Sequence, residues 1–165
     1  MIKLLESEDE DIREKSVDII LKIIQTGANE LKEGQQHPTL PLPPEIRKDI
    51  IDELKIFDDI KELALIAECP DNHDEILEEN FENELLKEDD EIISNLQITY
   101  NLLKFGSNSN KIKVALTTKD KVEELTDDEY LDKLIQEYYW IKRDQFKSKA
   151  KEVLTMITKI IGENK

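Results

Sequence analysis

The sequence is short of cysteine, glycine, proline and aromatic residues. Its 165 residues include one cysteine, four glycines and five prolines, and only 5% are aromatic. A single cysteine excludes an intrachain disulfide and a thiolate metal cluster. Because Cys69 ends the apolar run LALIAEC, it is predicted to be a buried, inert thiol. Few aromatic residues disfavour strands, and few turn formers favour helices, so the composition predicts an all-α protein.

Long apolar runs and an excess of basic residues are also lacking. No stretch approaches the roughly 18 apolar residues that cross a membrane. The first residues, MIKLLESEDED, lack the basic and apolar regions of a signal peptide, which predicts a cytoplasmic protein, with the nucleus as the alternative. The formal net charge is −16, and such acidity repels nucleic-acid phosphates and anionic membranes. We therefore expect no nucleic acid and no membrane as partner. The acidity would favour basic protein segments, or it only keeps the protein soluble.

What the sequence has in abundance is helical periodicity. Every strong apolar repeat has a 3.6-residue period, which predicts one all-α domain over residues 1–165. The first helix is predicted to start at a capping box of Ser7 and Glu10 and to stop at Gly27. Its expected buried stripe is Ile12, Ser16, Ile19, Ile20, Ile23 and Ile24.

The middle of the chain alternates helices with irregular segments. Residues 34–44 form a proline-rich loop that we expect to be mobile and extended, or itself a ligand for a polyproline-binding domain. Pro44 can begin the next helix, and another helix is predicted to end at Pro70. Residues 71–84 are predicted to be an acidic loop or loose helix.

The C-terminal half continues the helical pattern. A stripe from Ile92 to Leu103 predicts a helix that Gly106 closes. Two short helices are expected near residues 111–116 and 120–125. Thr126 and Glu129 form another capping box, before either a helix pair or one bent helix over residues 126–161.

Two phrases of the chain are nearly the same. Residues 8–27, EDEDIREKSVDIILKIIQTG, and residues 88–106, EDDEIISNLQITYNLLKFG, share an acidic start, an isoleucine, the apolar spacing and a final glycine, once one residue is skipped. Stacked helical repeats use such copies, because one repeat cannot bury its apolar stripe alone. The spacing of about eighty residues then corresponds to one enlarged repeat. The alternative is a chance likeness of two amphipathic helices.

The second copy also carries a family resemblance. The run LQITYNLLKFGSNSNKIKVALTTKDKVEEL, residues 96–125, resembles the junction between armadillo repeats, and the first copy resembles the third helix of an earlier repeat. The matching positions are Gly106, Asn110, Lys111 and Leu116. The resemblance implies an armadillo- or HEAT-like right-handed superhelix, a short solenoid whose third helices line a concave groove.

The resemblance also implies binding residues. The groove asparagine of the family falls on Asn101 and its groove tryptophan on Gln97, while the first copy has Lys22 and Asp18 at these places. These four are the predicted partner-binding residues, expected on one exposed, concave side. The missing tryptophans argue against the binding of nuclear-import peptides.

Reactive chemistry has little support in the sequence. NHDE, residues 72–75, contains the His–Asp pair of HD-type metal-dependent phosphohydrolases, which need a further histidine and aspartate. The only other histidine is His37, so an exposed His73–Asp74 pair without metal is the favoured interpretation. DEDIREKSVDII, from Asp9, has Glu14 and Ile20 where a calcium-binding EF-hand needs glycine and glutamate. No catalytic set, metal site or cofactor is predicted.

One basic segment stands out, WIKRDQFKSKAK at residues 140–151. It could bind an anion or nucleic acid, or it could be a solvated helix face with lysine stems over apolar neighbours. The function predicted from the sequence is a non-enzymatic interaction scaffold or adaptor that holds an extended, preferably basic, segment of another protein in a concave groove. The alternative is an HD-type phosphohydrolase using His73 and Asp74.

Overall fold

The computed structural model describes residues 7–29, 44–56, 59–87, 91–139 and 141–164. These residues contain helices and no strand, which confirms the all-α prediction for this part of the chain. The α-helices are α1 (Glu10–Asn29), α2 (Pro44–Ile56), α3 (Ile60–Ile66), α4 (His73–Ile76), α5 (Ile92–Phe105), α6 (Asn108–Glu124), α7 (Asp128–Glu137) and α8 (Arg143–Glu163). Helical turns of the 3₁₀ type add Pro70–Asn72 and Glu78–Asn83. No helix in the described ranges is long and apolar enough to span a membrane.

Helix α1 differs at both ends from its predicted bounds. Asp9, rather than Ser7, caps it, because the Asp9 carboxylate accepts from the Asp11 amide and its carbonyl accepts from the Arg13 amide. Gly27 does not stop the helix, which runs on to Asn29. A glycine costs a helix only about 1 kcal/mol, so one glycine in the last turns does not end it.

The apolar stripe of α1 is only partly covered. Ser16 and Ile20 are buried, and the Ser16 hydroxyl donates to the Ile12 carbonyl oxygen one turn earlier. Three isoleucines of the predicted stripe remain 38–48% exposed: Ile12, Ile19 and Ile23. Since α1 packs chiefly against α2, the expectation of a fully buried stripe is wrong for these three side chains.

Helices α2 and α3 follow their predicted signals. Pro44 is the first residue of α2, where its missing N–H costs nothing. Helix α3 is capped at Ala67, before Pro70, and the thiol of Cys69 is free and buried as predicted. Burial raises the pKa of this thiol, which keeps it protonated. Residues 34–43 of the proline-rich loop lie outside the described ranges, so the prediction of mobility stays a prediction.

Of the two alternatives predicted for the acidic segment 71–84, the structure has the loose helix rather than the loop. It is a series of short turns, broken where Glu79 and Asn80 adopt left-handed backbone angles, each with φ 59°. Ile76 and Leu77 of this segment belong to the main core. Glu82 is 3% exposed and pairs with Lys113 of α6 at 3.0 Å. The segment is therefore a packed part of the fold.

Helix α5 lies at the centre of the described structure. It packs against α3, α6 and α8, and α6 in turn packs against α8. Its buried side chains are Ile92, Ser94, Asn95, Leu96, Ile98, Thr99, Asn101, Leu102 and Leu103. Among the polar members, the Thr99 hydroxyl donates to the Asn95 carbonyl oxygen and the Asn101 amide donates to the Ala64 carbonyl oxygen. Helix α5 therefore positions the groove described below.

The C-terminal half corrects two predictions. Helix α6 is continuous, not two short helices, and the hydroxyls of Thr117 and Thr118 within it donate to carbonyl oxygens one turn back. Asp127, not Thr126, caps α7, since its carboxylate accepts from the amides of Glu129 and Tyr130. Helix α7 ends at Glu137 and α8 begins at Arg143, so this region is a helix pair, one of the two predicted alternatives.

Candidate functional site

The structure does not bring the four predicted binding residues into one groove. Asp18 and Lys22 are exposed on α1, which packs chiefly against α2. Gln97 and Asn101 lie one turn apart on α5, and the Gln97 amide donates to Asn101 Oδ1 at 3.0 Å. Of the four, Gln97 lines the groove described below.

Asn101 is buried, which contradicts the expectation that all four residues are exposed. Only 2% of it is accessible, and its Nδ2 donates to the Ala64 carbonyl oxygen of α3 at 3.0 Å. This hydrogen bond joins two helices in the core, where an unpaired amide would be costly. Asn101 is therefore a structural link between α3 and α5.

His73 is also buried, and the expectation of an exposed His–Asp pair is wrong for it. The ring is inaccessible to solvent, and Nε2 lies 2.8 Å from the Ala67 carbonyl oxygen. Because a carbonyl oxygen only accepts, Nε2 carries the proton and Nδ1 is left bare, without a partner among the described residues. Burial lowers the pKa of the imidazole, so the neutral form is favoured.

Asp74 does not complete a metal site with His73. It is exposed, and its Oδ1 accepts from Asn110 Nδ2 at 2.8 Å. The described ranges hold no group of three or more histidine, cysteine, aspartate or glutamate side chains that could bind a metal ion. Nothing in this geometry supports the phosphohydrolase alternative.

A groove between α3, α5 and α8 is the candidate site. Its volume is about 500 Å³. Each helix contributes residues at the three- and four-residue steps of one face. The lining residues are Lys61, Ala64, Leu65 and Glu68 from α3 and the residue after its cap, Ile93, Ser94, Leu96 and Gln97 from α5, and Lys142, Gln145, Phe146 and Lys149 from α8 and its N-cap. We call this the lysine groove.

The floor of the lysine groove is apolar and its rim is polar. Leu96 and Phe146 are almost fully buried beneath it. Ile93, by contrast, is 46% exposed and offers an apolar contact to an incoming group. Lys61 and Lys142 are exposed at the rim, and the Gln97 side chain is partly accessible. An apolar floor with a few polar groups around it is typical of binding sites.

Lys149 is held in place by an aromatic ring. Its Nζ lies 3.0 Å from the centroid of the Tyr100 ring and 3.6 Å from a carboxylate oxygen of Glu152. Burial lowers the pKa of Lys149, and the Glu152 carboxylate opposes this shift. The cation–π contact orients the ammonium group at the edge of the groove.

The basic segment 140–151 divides into two parts. Arg143 and Lys147 both form ion pairs with Asp128 of α7 at 2.6 Å, so their positive charges are paired within the fold. Lys142, Phe146 and Lys149 face the groove instead. Trp140 lies outside the described ranges.

The groove was not predicted from the sequence, although signals for it exist. Positions 142, 145, 146 and 149 have the spacing of one helix face, and so do 61, 64, 65 and 68. The pair Ile92–Ile93 is a second signal, because adjacent helical residues cannot both lie at the centre of a buried face. Ile92 is 1% exposed and Ile93 faces the groove. The sequence does not show that these faces of α3, α5 and α8 meet in the folded protein.

Comparison of the chain with protein-family models, with curated proteins and with solved structures finds no match to any of them.

Proposed function

We propose that the protein is a non-enzymatic binding module that holds a segment of another protein in the lysine groove. The observation that carries this proposal is a groove of about 500 Å³ with an apolar floor, built on three packed helices. Sites on packed helices keep their shape, so little conformational entropy is lost when a segment binds. Gln97, with a donor and an acceptor, can bond the backbone of a bound segment.

An armadillo-like superhelix and a role as scaffold or adaptor remain part of the proposal. The packing of α2 on α3 and of α5 on α6 supports stacked helical pairs. Asp18 and Lys22 were predicted on the same concave side as Gln97. Because they are exposed on α1, we propose them instead as contacts of a separate surface, where the acidity of the chain favours basic segments.

The test compares two isoleucines that are both accessible. Ile93 is 46% exposed in the groove, and Ile56, at the end of α2, is 72% exposed outside it. Ile93→Ser should abolish capture of a partner from an extract of the protein's own cells, while Ile56→Ser should capture as much as the wild type. Captured proteins are compared by mass spectrometry. Equal capture by Ile93→Ser and wild type would refute the groove as the binding site.

A further inference from the structure

The charge of the lysine groove is opposite to that of the whole chain. The chain has a formal net charge of −16. The groove lining has three lysines and one glutamate, which give a formal charge of +2. A positively charged groove on a negatively charged protein favours a partner whose contact surface is negatively charged.

Two of these lysines are not neutralised within the described part of the chain. Lys61 and Lys142 form no ion pair with any described residue, and both are exposed. Lys147 of α8, which does not line the groove, already pairs with Asp128. The rim lysines are therefore able to pair with carboxylates that come from outside.

We propose that the lysine groove binds an acidic amphipathic segment of a partner protein, an inference that rests on the proposed function. Leucine-like side chains of the segment lie on the floor beside Ile93 and Phe146, and its carboxylates pair with Lys61, Lys142 and Lys149. A helical segment presents apolar residues at three- and four-residue steps, which matches a groove made of helix faces.

The repulsion between an acidic segment and the acidic remainder of the protein does not prevent this binding. At physiological salt the Debye length is about 8 Å, so charges across the molecule are largely screened, whereas rim lysines in direct contact are not. A basic segment would instead bring like charges onto three lysines, which is costly at a contact. The preference for a basic partner, expected from the net charge alone, is therefore reversed in this groove.

The test selects peptides without assuming their sequence. A library of random peptides about 15 residues long, or roughly 22 Å as a helix, is displayed on phage and selected on the wild-type protein. We expect the enriched peptides to contain leucine-like residues and an excess of aspartate and glutamate over lysine and arginine. The most enriched peptide is then synthesised with a fluorescent label, and its affinity is measured by anisotropy.

Two double variants carry the same change of charge. Lys61→Glu with Lys142→Glu reverses the rim, while Lys15→Glu with Lys151→Glu makes the matched change at exposed positions outside the groove. The rim variant should bind the acidic peptide about tenfold more weakly, and the control less than about twofold. Equal weakening by both variants would refute local pairing with the groove.

The other outcomes separate this inference from the proposed function. If the selected peptides are basic or neutral and Ile93→Ser abolishes their binding, the acidic preference is wrong and the binding function stands. If no peptide is enriched, or if Ile93→Ser does not weaken binding, both are wrong. If oleate, tested as a small anionic amphiphile, binds through Lys61 and Lys142 while no peptide does, the ligand is a fatty acid and the proposal fails.

Discussion

Helices α1 and α5 have nearly the same sequence pattern and very different surroundings. Helix α5 packs against three helices and has nine buried side chains, whereas α1 packs chiefly against α2 and leaves three isoleucines 38–48% exposed. An apolar stripe identifies the face of a helix that can be buried. It does not show whether a neighbouring helix covers that face. The comparison can be tested at three pairs of aligned positions and at a histidine beside the end of α5.

The largest difference is expected for matched isoleucines. Ile98 of α5 is fully buried and Ile19 of α1 is 48% exposed. Ile98→Ala should lower the free energy of unfolding by about 2–5 kcal/mol, because it removes buried methyl groups and leaves a cavity. Ile19→Ala should cost less than about 1 kcal/mol. Urea denaturation measures both values, and equal losses would mean that α1 is as well covered as α5.

The two glycines should respond with opposite signs. A Cβ at Gly106 would clash with the Leu102 carbonyl oxygen and lie 3.2 Å from His73 Nδ1. Gly106→Ala should therefore destabilise the protein by about 1–3 kcal/mol. Gly27 lies within α1, where alanine is the better helix former by up to about 1 kcal/mol. A shift of the thermal unfolding midpoint in the same direction for both variants would contradict this comparison.

The aligned polar positions Asn101 and Lys22 should also differ. Asn101→Ala removes the hydrogen bond to Ala64 in the core and should cost about 1–3 kcal/mol. Lys22→Ala changes an exposed residue and should alter the free energy of unfolding by no more than about 0.5 kcal/mol. Chemical denaturation of the two variants measures the difference, which would vanish if Asn101 were a surface residue.

The smallest effect concerns the histidine beside the end of α5. Burial lowers the pKa of His73, and Lys111 adds to this, while the Ala67 carbonyl, Asp74 and Asp71 act in the opposite direction. Since the unfolded chain takes up a proton near pH 6.5 and the folded protein does not, this contribution is complete above about pH 6.5 and is lost as the pH falls below it. His73→Gln should therefore flatten the decrease in stability between about pH 7.5 and 5.5.

The matched control is the only other histidine. His37→Gln should leave the pH dependence of urea denaturation as it is in the wild type. If His37→Gln flattens the dependence and His73→Gln does not, the titrating group has been assigned to the wrong residue.

The fold was predictable where the signal is local. Pro44 at the start of α2 and the stripe of α5 correspond to helices that form. Local signals were wrong where neighbouring residues compete for one role. Asp9 caps α1 in place of Ser7, and Asp127 caps α7 in place of Thr126.

The site was less predictable, because it depends on contacts between distant residues. His73 lies among acidic neighbours that suggest exposure, yet it is buried, with its Nε2 bonded to the Ala67 carbonyl oxygen. The resemblance assigned Gln97 to the concave groove of a solenoid, and that assignment stays a prediction. In the structure Gln97 lines the lysine groove. The lysines around it come from two other helices, and no spacing along the chain shows their proximity.

The contact of Lys149 with Tyr100 gives the groove a reporter of its own. A lysine chain whose Nζ is 3.0 Å from a ring centroid lies in the shielding cone of the ring. Its terminal methylene protons should therefore resonate well upfield of those of other lysines in a proton NMR spectrum. A carboxylate that draws the ammonium group into the groove would move these resonances back toward their usual position. Occupancy of the groove can thus be followed at a single side chain, with no label on either partner.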